Sequence, residues 1–208
     1  MNQPAVLTAG LLISLALLYF LVLRRWQLTW GARPDELAMV FPGDEIVEQP
    51  SFNATRGITV NAPPENIYPW IVQMGLDRAG WYSYDLLDNL ARKSAEEILP
   101  RFQHVQPGDL IPMSPDGKQG LFVKEFEKDH WMLWGDQVGD SSWAWMILPD
   151  DSNRSRLLTR VRMKYRWLSP AILFSMIVEF SDFPMMRKCM LGIKSRAEST
   201  ANPRSGTG

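Results

Sequence analysis

The chain has 208 residues, 22 Lys plus Arg against 23 Asp plus Glu, 46% hydrophobic residues and one cysteine. Near-neutral charge gives no general pull toward nucleic acid, and the apolar fraction excludes an intrinsically disordered chain. Cys189, standing alone, can neither close an intramolecular disulfide nor anchor a multi-cysteine zinc site, which fits a reducing compartment.

From Met1 to Leu23 there is no charged side chain, and residues 5–23 read AVLTAGLLISLALLYFLVL. About 19 helical residues at ~1.5 Å each reach about 28 Å, close to the ~30 Å hydrocarbon core of a bilayer, so residues 1–25 are expected to be a single transmembrane anchor. The MNQP start and the long apolar run argue against a cleaved signal peptide. Arg24, Arg25 and Arg33 follow the helix and no Lys or Arg precedes it, which places the C-terminal domain on the cytoplasmic side. Trp26 and Trp30 fall at headgroup level.

Residues 26–53, with Gly31, Pro34, Pro42, Gly43 and Pro50 among scattered acids, read as an extended connector. Residues 54–198 are the size of one domain. Its first strand is expected over 54–61, where Ile58 and Val60 alternate with Thr59 and Asn61, and it stops at Pro63-Pro64. Those prolines and Glu65 suit a helix start, and Ile67, Trp70, Ile71 and Met74 recur at helical spacing. A short helix is expected over 84–90.

Past Pro107-Gly108 the pattern becomes short strands joined by turns, at 110–113, 121–127 and 130–134. Two longer strands, 142–149 and 156–165, flank the hairpin loop Asp150-Asp151-Ser152-Asn153. In the last strand Leu157, Thr159, Val161 and Met163 oppose Leu158, Arg160, Arg162 and Lys164. That is an apolar face and a basic one, expected of a sheet covered on one side. The faces of Trp143, Trp145 and Ile147 stay open, because Ala144, Met146 and Leu148 are nearly as apolar. A final helix begins near Ala171, kinks or restarts at Pro184, and carries the stripe Phe183, Met186, Met190, Ile193 and Ala197. Residues 199–208 are expected to be a disordered tail.

Strand, two short helices, antiparallel meander and long C-terminal helix is an α+β order of helix-grip type. The stretches ITVNAPPENIYPWIVQMG, GWYSYDLLDNL, VQPGDLIP and FPMMRKCMLGIKSRAE resemble, in that sequence, the START-related SRPBCC (Bet v 1-like, polyketide cyclase-like) superfamily, in particular its bacterial membrane-anchored subgroup of unassigned function. The resemblance covers about residues 35–198. It implies a curved antiparallel sheet gripping a long helix, with a cavity between them that in relatives holds lipids, sterols or polyketides.

Candidate site residues follow from that frame. Eleven Met and nine Trp would suit a wall for apolar ligands, with Met186 and Met190 on the helix and Trp134 and Trp145 on the strands. Trp81, Tyr82, Tyr84 and Asp85, with Asp88 and Asn89, would gather aromatic surface and polar groups at a cavity mouth. Each apolar position serves equally as core, and Asp85 and Asp88 equally as local caps. His104 and His130 lack metal-ligand spacing, and no metal or cofactor is expected. Cys189, beside Arg187 and Lys188, reads either as a reactive thiol or as inert packing. The basic strand face, with Arg166 continuing it, reads as a solvated face or a headgroup contact.

The expected function is membrane-tethered binding of a hydrophobic small molecule or lipid, without catalysis, the bilayer being met through residues 5–23. One alternative is a cyclase or dehydratase using Tyr and Asp of segment 81–89 as acid and base. Another is an interaction protein whose interior is filled by side chains.

Overall fold

The computed structural model describes residues 3–151, 153–165 and 171–201. Six strands form one antiparallel sheet: β1 (Phe52–Val60), β2 (Leu110–Pro112), β3 (Gly120–Glu127), β4 (Trp131–Gly135), β5 (Ser141–Asp151) and β6 (Arg154–Met163). Their order across the sheet is β1-β6-β5-β4-β3-β2, so the last strand returns to the first. Register irregularities at Val123/Glu125 and Pro149/Asp151 bend the strands, as bulges do. All six strands were legible as alternating or β-branched runs, with ends displaced by no more than two residues.

The inner face of the sheet carries Ala54, Ile58, Val60, Trp143, Trp145, Ile147, Leu157 and Val161 in the main core. Against it lie α4 (Pro64–Val72) and α6 (Ala171–Ala201), and between them in the chain the short helix expected over 84–90 is α5 (Asp85–Asp88). From α4, Ile67, Tyr68, Trp70, Ile71 and Val72 are buried. At the end of α4, Arg78 donates to Val72 O at 2.9 Å and, just beyond the helix, to Met74 O at 3.0 Å. Of the kink or restart expected at Pro184, the restart does not occur, and α6 runs through it as one helix. Ser199–Ala201, expected in the tail, belong to α6, and the rest of that tail lies outside the described residues.

The outer face corrects the expectation of a one-sided sheet. Residues 26–53, expected as an extended connector, pack across it, with the short helix α3 (Pro34–Ala38) among them and Glu36, Phe41 and Val47 buried. Phe41, Leu133, Ala144 and Leu158 form a second small core there. The basic strand face is this strap's anchorage. Arg156 donates to Glu36 through Nε at 2.6 Å and Nη2 at 2.7 Å. Arg160 reaches Asp44 at 2.6 Å, Thr55 Oγ1 at 2.8 Å and Met39 O at 2.9 Å, and lies 3.9 Å from the Phe41 ring centre. Arg162 donates to Asp44 at 2.9 Å. Lys164 alone of the expected basic row is exposed, and Arg166 lies outside the described residues. Two glycines permit the strap's close crossing: a Cβ on Gly31, whose φ is +70°, would sit 2.2 Å from Gly57 O, and one on Gly57 would meet Arg156.

The amino-terminal helix also departs from expectation. α1 (Gln3–Leu18) has 16 residues, Tyr19–Leu23 are π-helical, and α2 (Arg24–Leu28) follows. Among the described residues no helix is long and apolar enough to cross a membrane. This helical run docks on α6: Arg24 pairs with Glu179, Tyr19 packs on Phe180 at 5.2 Å, and Trp26 on Phe183 at 4.9 Å. Trp30 lies under the guanidinium of Arg187.

Because the Glu36 and Arg156 side chains are only 3% and 8% exposed, losing one partner strands a buried charge. We expect Glu36→Ala to lower unfolding free energy by about 3–5 kcal/mol in urea titrations. Asp150→Ala, which breaks the exposed pair with Arg154, is expected to cost less than about 1 kcal/mol. Equal losses would contradict an anchoring role for the outer pair.

Candidate functional site

Between the middle of α6 and the sheet lies a cavity of about 510 Å³. Trp81, Trp143, Val161, Met163, Met185 and Met186 supply much of its apolar wall, with Leu76, Leu87, Leu90, Met113 and Leu121 closing the side toward segment 76–121. From α6 the lining residues are Ser181, Asp182, Met185, Met186 and Cys189, a single stripe over two turns. Trp81 and Trp143 stack with ring centres 5.9 Å apart and planes 15° from parallel. Trp143 Nε1 donates to Thr159 Oγ1 at 2.8 Å, which fixes that ring.

Two carboxylates interrupt the apolar wall. Asp182 meets Arg56 at 2.6 Å, and the Arg56 side chain is 1% exposed. Burial pushes the Asp182 carboxyl up despite the opposing pull of Arg56. Asp88 is raised as well, first by burial, while Ser83 pulls it down and the charge of Asp85 pushes it further up. The Ser83 hydroxyl has one proton and gives it to Met185 O at 3.0 Å, so both buried Asp88 oxygens are left without a hydrogen bond.

Of the residues expected at the site, Trp81 and Met186 line this cavity. Trp134, Trp145 and Met190 do not. All three are fully buried in the core. Tyr84 is 43% exposed. Tyr82 and Asp85 belong to a separate polar cleft with Ser94, Lys188 and Arg196. Tyr82 and Asp85, two of the Tyr and Asp residues of segment 81–89 considered for a cyclase, are engaged in structural hydrogen bonds. Tyr82 OH donates to Trp70 O at 3.1 Å and accepts from Gln73 Nε2 at 2.9 Å, and burial pushes the phenol up against the opposing pull of Gln73. Asp85 accepts from Ser94 N at 3.1 Å and Ser94 Oγ at 2.6 Å.

Local backbone explains the divergence of neighbours. Tyr82 has φ of +56°, an uncommon left-handed value, and its carbonyl lies so close to α6 that a Cβ on Gly192 would be 2.3 Å away. Trp81 and Tyr82 therefore serve different compartments. Cys189 is buried, 3.8 Å from Met74 Sδ, and burial raises its thiol well above the ordinary range, so it is packing rather than a reactive group. His104 is exposed, and His130 is exposed beside Glu127.

Sequence reasoning placed Asp88 among the polar groups of the mouth, with a cap as the alternative, and the structure sets it in the cavity wall; it missed Asp182, Met185 and Trp143. Spacing held a usable signal for the helix, since Asp182, Met186 and Cys189 repeat at intervals of four and three.

No family model matches the chain, and no curated protein matches it. Solved structures do show likeness. A hypothetical protein from Helicobacter pylori aligns over 76% of this chain and 95% of its own at 14% identity, with a TM-score of 0.48. A polyketide-cyc-like protein from Corynebacterium glutamicum aligns over 75% and 97% at 10% identity, with a TM-score of 0.46. The di-domain ARO/CYC protein BexL, of the BE-7585A biosynthetic pathway, aligns over 73% of this chain and 48% of its own at 13% identity, with a TM-score of 0.40. These likenesses concern the chain path and carry no activity across. The architecture described above, a six-stranded antiparallel sheet with β6 beside β1 and a long C-terminal helix on its inner face, is of helix-grip form.

Proposed function

We propose that this protein binds a hydrophobic small molecule or lipid in the cavity between α6 and the inner face of the sheet. The observation that carries this reading is the cavity itself, about 510 Å³ and lined mainly by Trp, Met and Leu. Small-molecule sites span roughly 300–1,000 Å³ and are mostly apolar with a few polar groups, as here. The cavity opens to solvent past the exposed side chains of Leu87, Leu90 and Met113, which gives an apolar ligand a way in. An interaction protein with a filled interior is disfavoured by the same void.

Binding of N-phenylnaphthylamine, an apolar fluorescent probe, tests this on the full chain. Val161→Phe places a ring into the cavity, and we expect it to weaken probe binding at least about tenfold while far-ultraviolet circular dichroism is retained. Equal affinity in wild type and variant would place the probe elsewhere and refute the cavity as the site.

We further propose that the amino-terminal helical run contacts a lipid bilayer. Leu7, Leu11, Ile13, Leu17, Phe20 and Leu21 are 54–74% exposed, an apolar surface larger than a soluble monomer ordinarily leaves uncovered. A ligand dissolved in the bilayer would then meet the cavity at raised effective concentration. The expected result is that the full chain floats with phosphatidylcholine vesicles and that Leu11→Lys/Leu17→Lys does not. Flotation unchanged by the pair of lysines would exclude this helix as the contact.

A further inference from the structure

The two carboxylates of the cavity differ in how their charge is met. Asp182 has Arg56 at 2.6 Å. Asp88 has nothing comparable: neither of its buried oxygens makes a well-formed hydrogen bond, although Ser83 and the Tyr84 backbone pull its carboxyl down, and the charged group acting on it is Asp85, also an acid. Among the described residues no side chain lining the cavity is a Lys, Arg or His. The Asp88 carboxylate, beside Leu87, Leu90 and Cys189 in the lining, therefore has no counter-charge among them and no well-formed hydrogen bond, the two things that make burial of such a group tolerable. Its deficiency matches what a primary ammonium group offers, which is one positive charge and three N–H donors.

We infer that the cavity selects an apolar molecule ending in a protonated amine, with the ammonium seated on Asp88 and the hydrocarbon against Trp81, Trp143, Val161 and Met186. This rests on the cavity-binding reading above and specifies its ligand class. A neutral alcohol would satisfy one oxygen and leave the charge unmet. A fatty acid would bring a second negative charge to a cavity that already holds two carboxylates, at a cost that rises as water is excluded.

The test is displacement of N-phenylnaphthylamine from the full chain at neutral pH by dodecylamine, dodecanol and dodecanoic acid, three ligands with the same tail. Only the part of the signal abolished by Val161→Phe is counted. The amine should displace the probe at a concentration at least about tenfold lower than the alcohol, and the acid should be the weakest, since a charge-assisted hydrogen bond exceeds a neutral one by about that factor. In Asp88→Asn the preference for amine over alcohol should fall below about twofold. Asp116→Asn, which removes the same charge from an exposed turn, should leave it intact.

Alcohol or acid equal to amine in the wild type overturns the inference without any variant, so a poorly folding Asp88→Asn cannot shelter it. A preference that survives Asp88→Asn overturns the assignment to Asp88. Probe binding without amine selectivity refutes this inference alone, whereas absence of cavity-dependent probe binding refutes the cavity reading beneath it.

Discussion

Three arginines at alternate positions on the outer face of β6 set the terms for the rest of the molecule. Arg156, Arg160 and Arg162 cannot be buried without counter-charges, and Glu36 and Asp44 of the strap provide them across more than 110 residues of sequence. Each contact brings further donors to account: Arg160 alone also satisfies the carbonyls of Leu37 and Met39. The strap thereby covers the second face of the sheet and completes a small core around Phe41. A sheet packed on both sides can hold its inner face in place without demanding that α6 fill every space above it.

On that inner face the arrangement is graded along α6. Met190, Ile193 and Ala197 are fully buried toward the C-terminal end, whereas Asp182, Met185, Met186 and Cys189 border the void. At the far side of the void a second buried ion pair, Arg56 with Asp182, ties α6 to β1, and Arg56 also donates to Gln27 O at 2.8 Å. One guanidinium thus connects the amino-terminal segment, the edge strand and the cavity wall. The helical run that docks on α6 through Arg24 and Glu179 adjoins the same end of the cavity. Bilayer contact and ligand entry, if both occur, would be neighbouring events on one surface.

The strands, the gripping helix and its buried stripe were legible because alternation and helical spacing are local properties, and Pro63-Pro64 and the acidic hairpin loop punctuate them. The strap was not. Its Gly and Pro content reads as a linker, and the reason it packs is the pairing of Glu36 and Asp44 with arginines far along the chain, which no window of sequence reveals. Segment 81–89 was correctly singled out as a neighbourhood, yet its members were misassigned. The positive φ of Tyr82 turns Trp81 and Tyr82 into different compartments, so the conspicuous phenol became structural and the inconspicuous Asp88 entered the cavity. Uniform α-helix over 5–23 was also expected from composition alone, and hydropathy does not register the π-helical turn at Tyr19–Leu23.

The central claim is that the cavity is a ligand site rather than a packing defect. Native mass spectrometry of the intact full chain, purified under mild conditions and followed by solvent extraction, addresses it most directly. A reproducible apolar adduct on the wild type that is missing from Val161→Phe is the predicted result. Clean, ligand-free mass for both proteins, or an adduct retained equally by the variant, would contradict it.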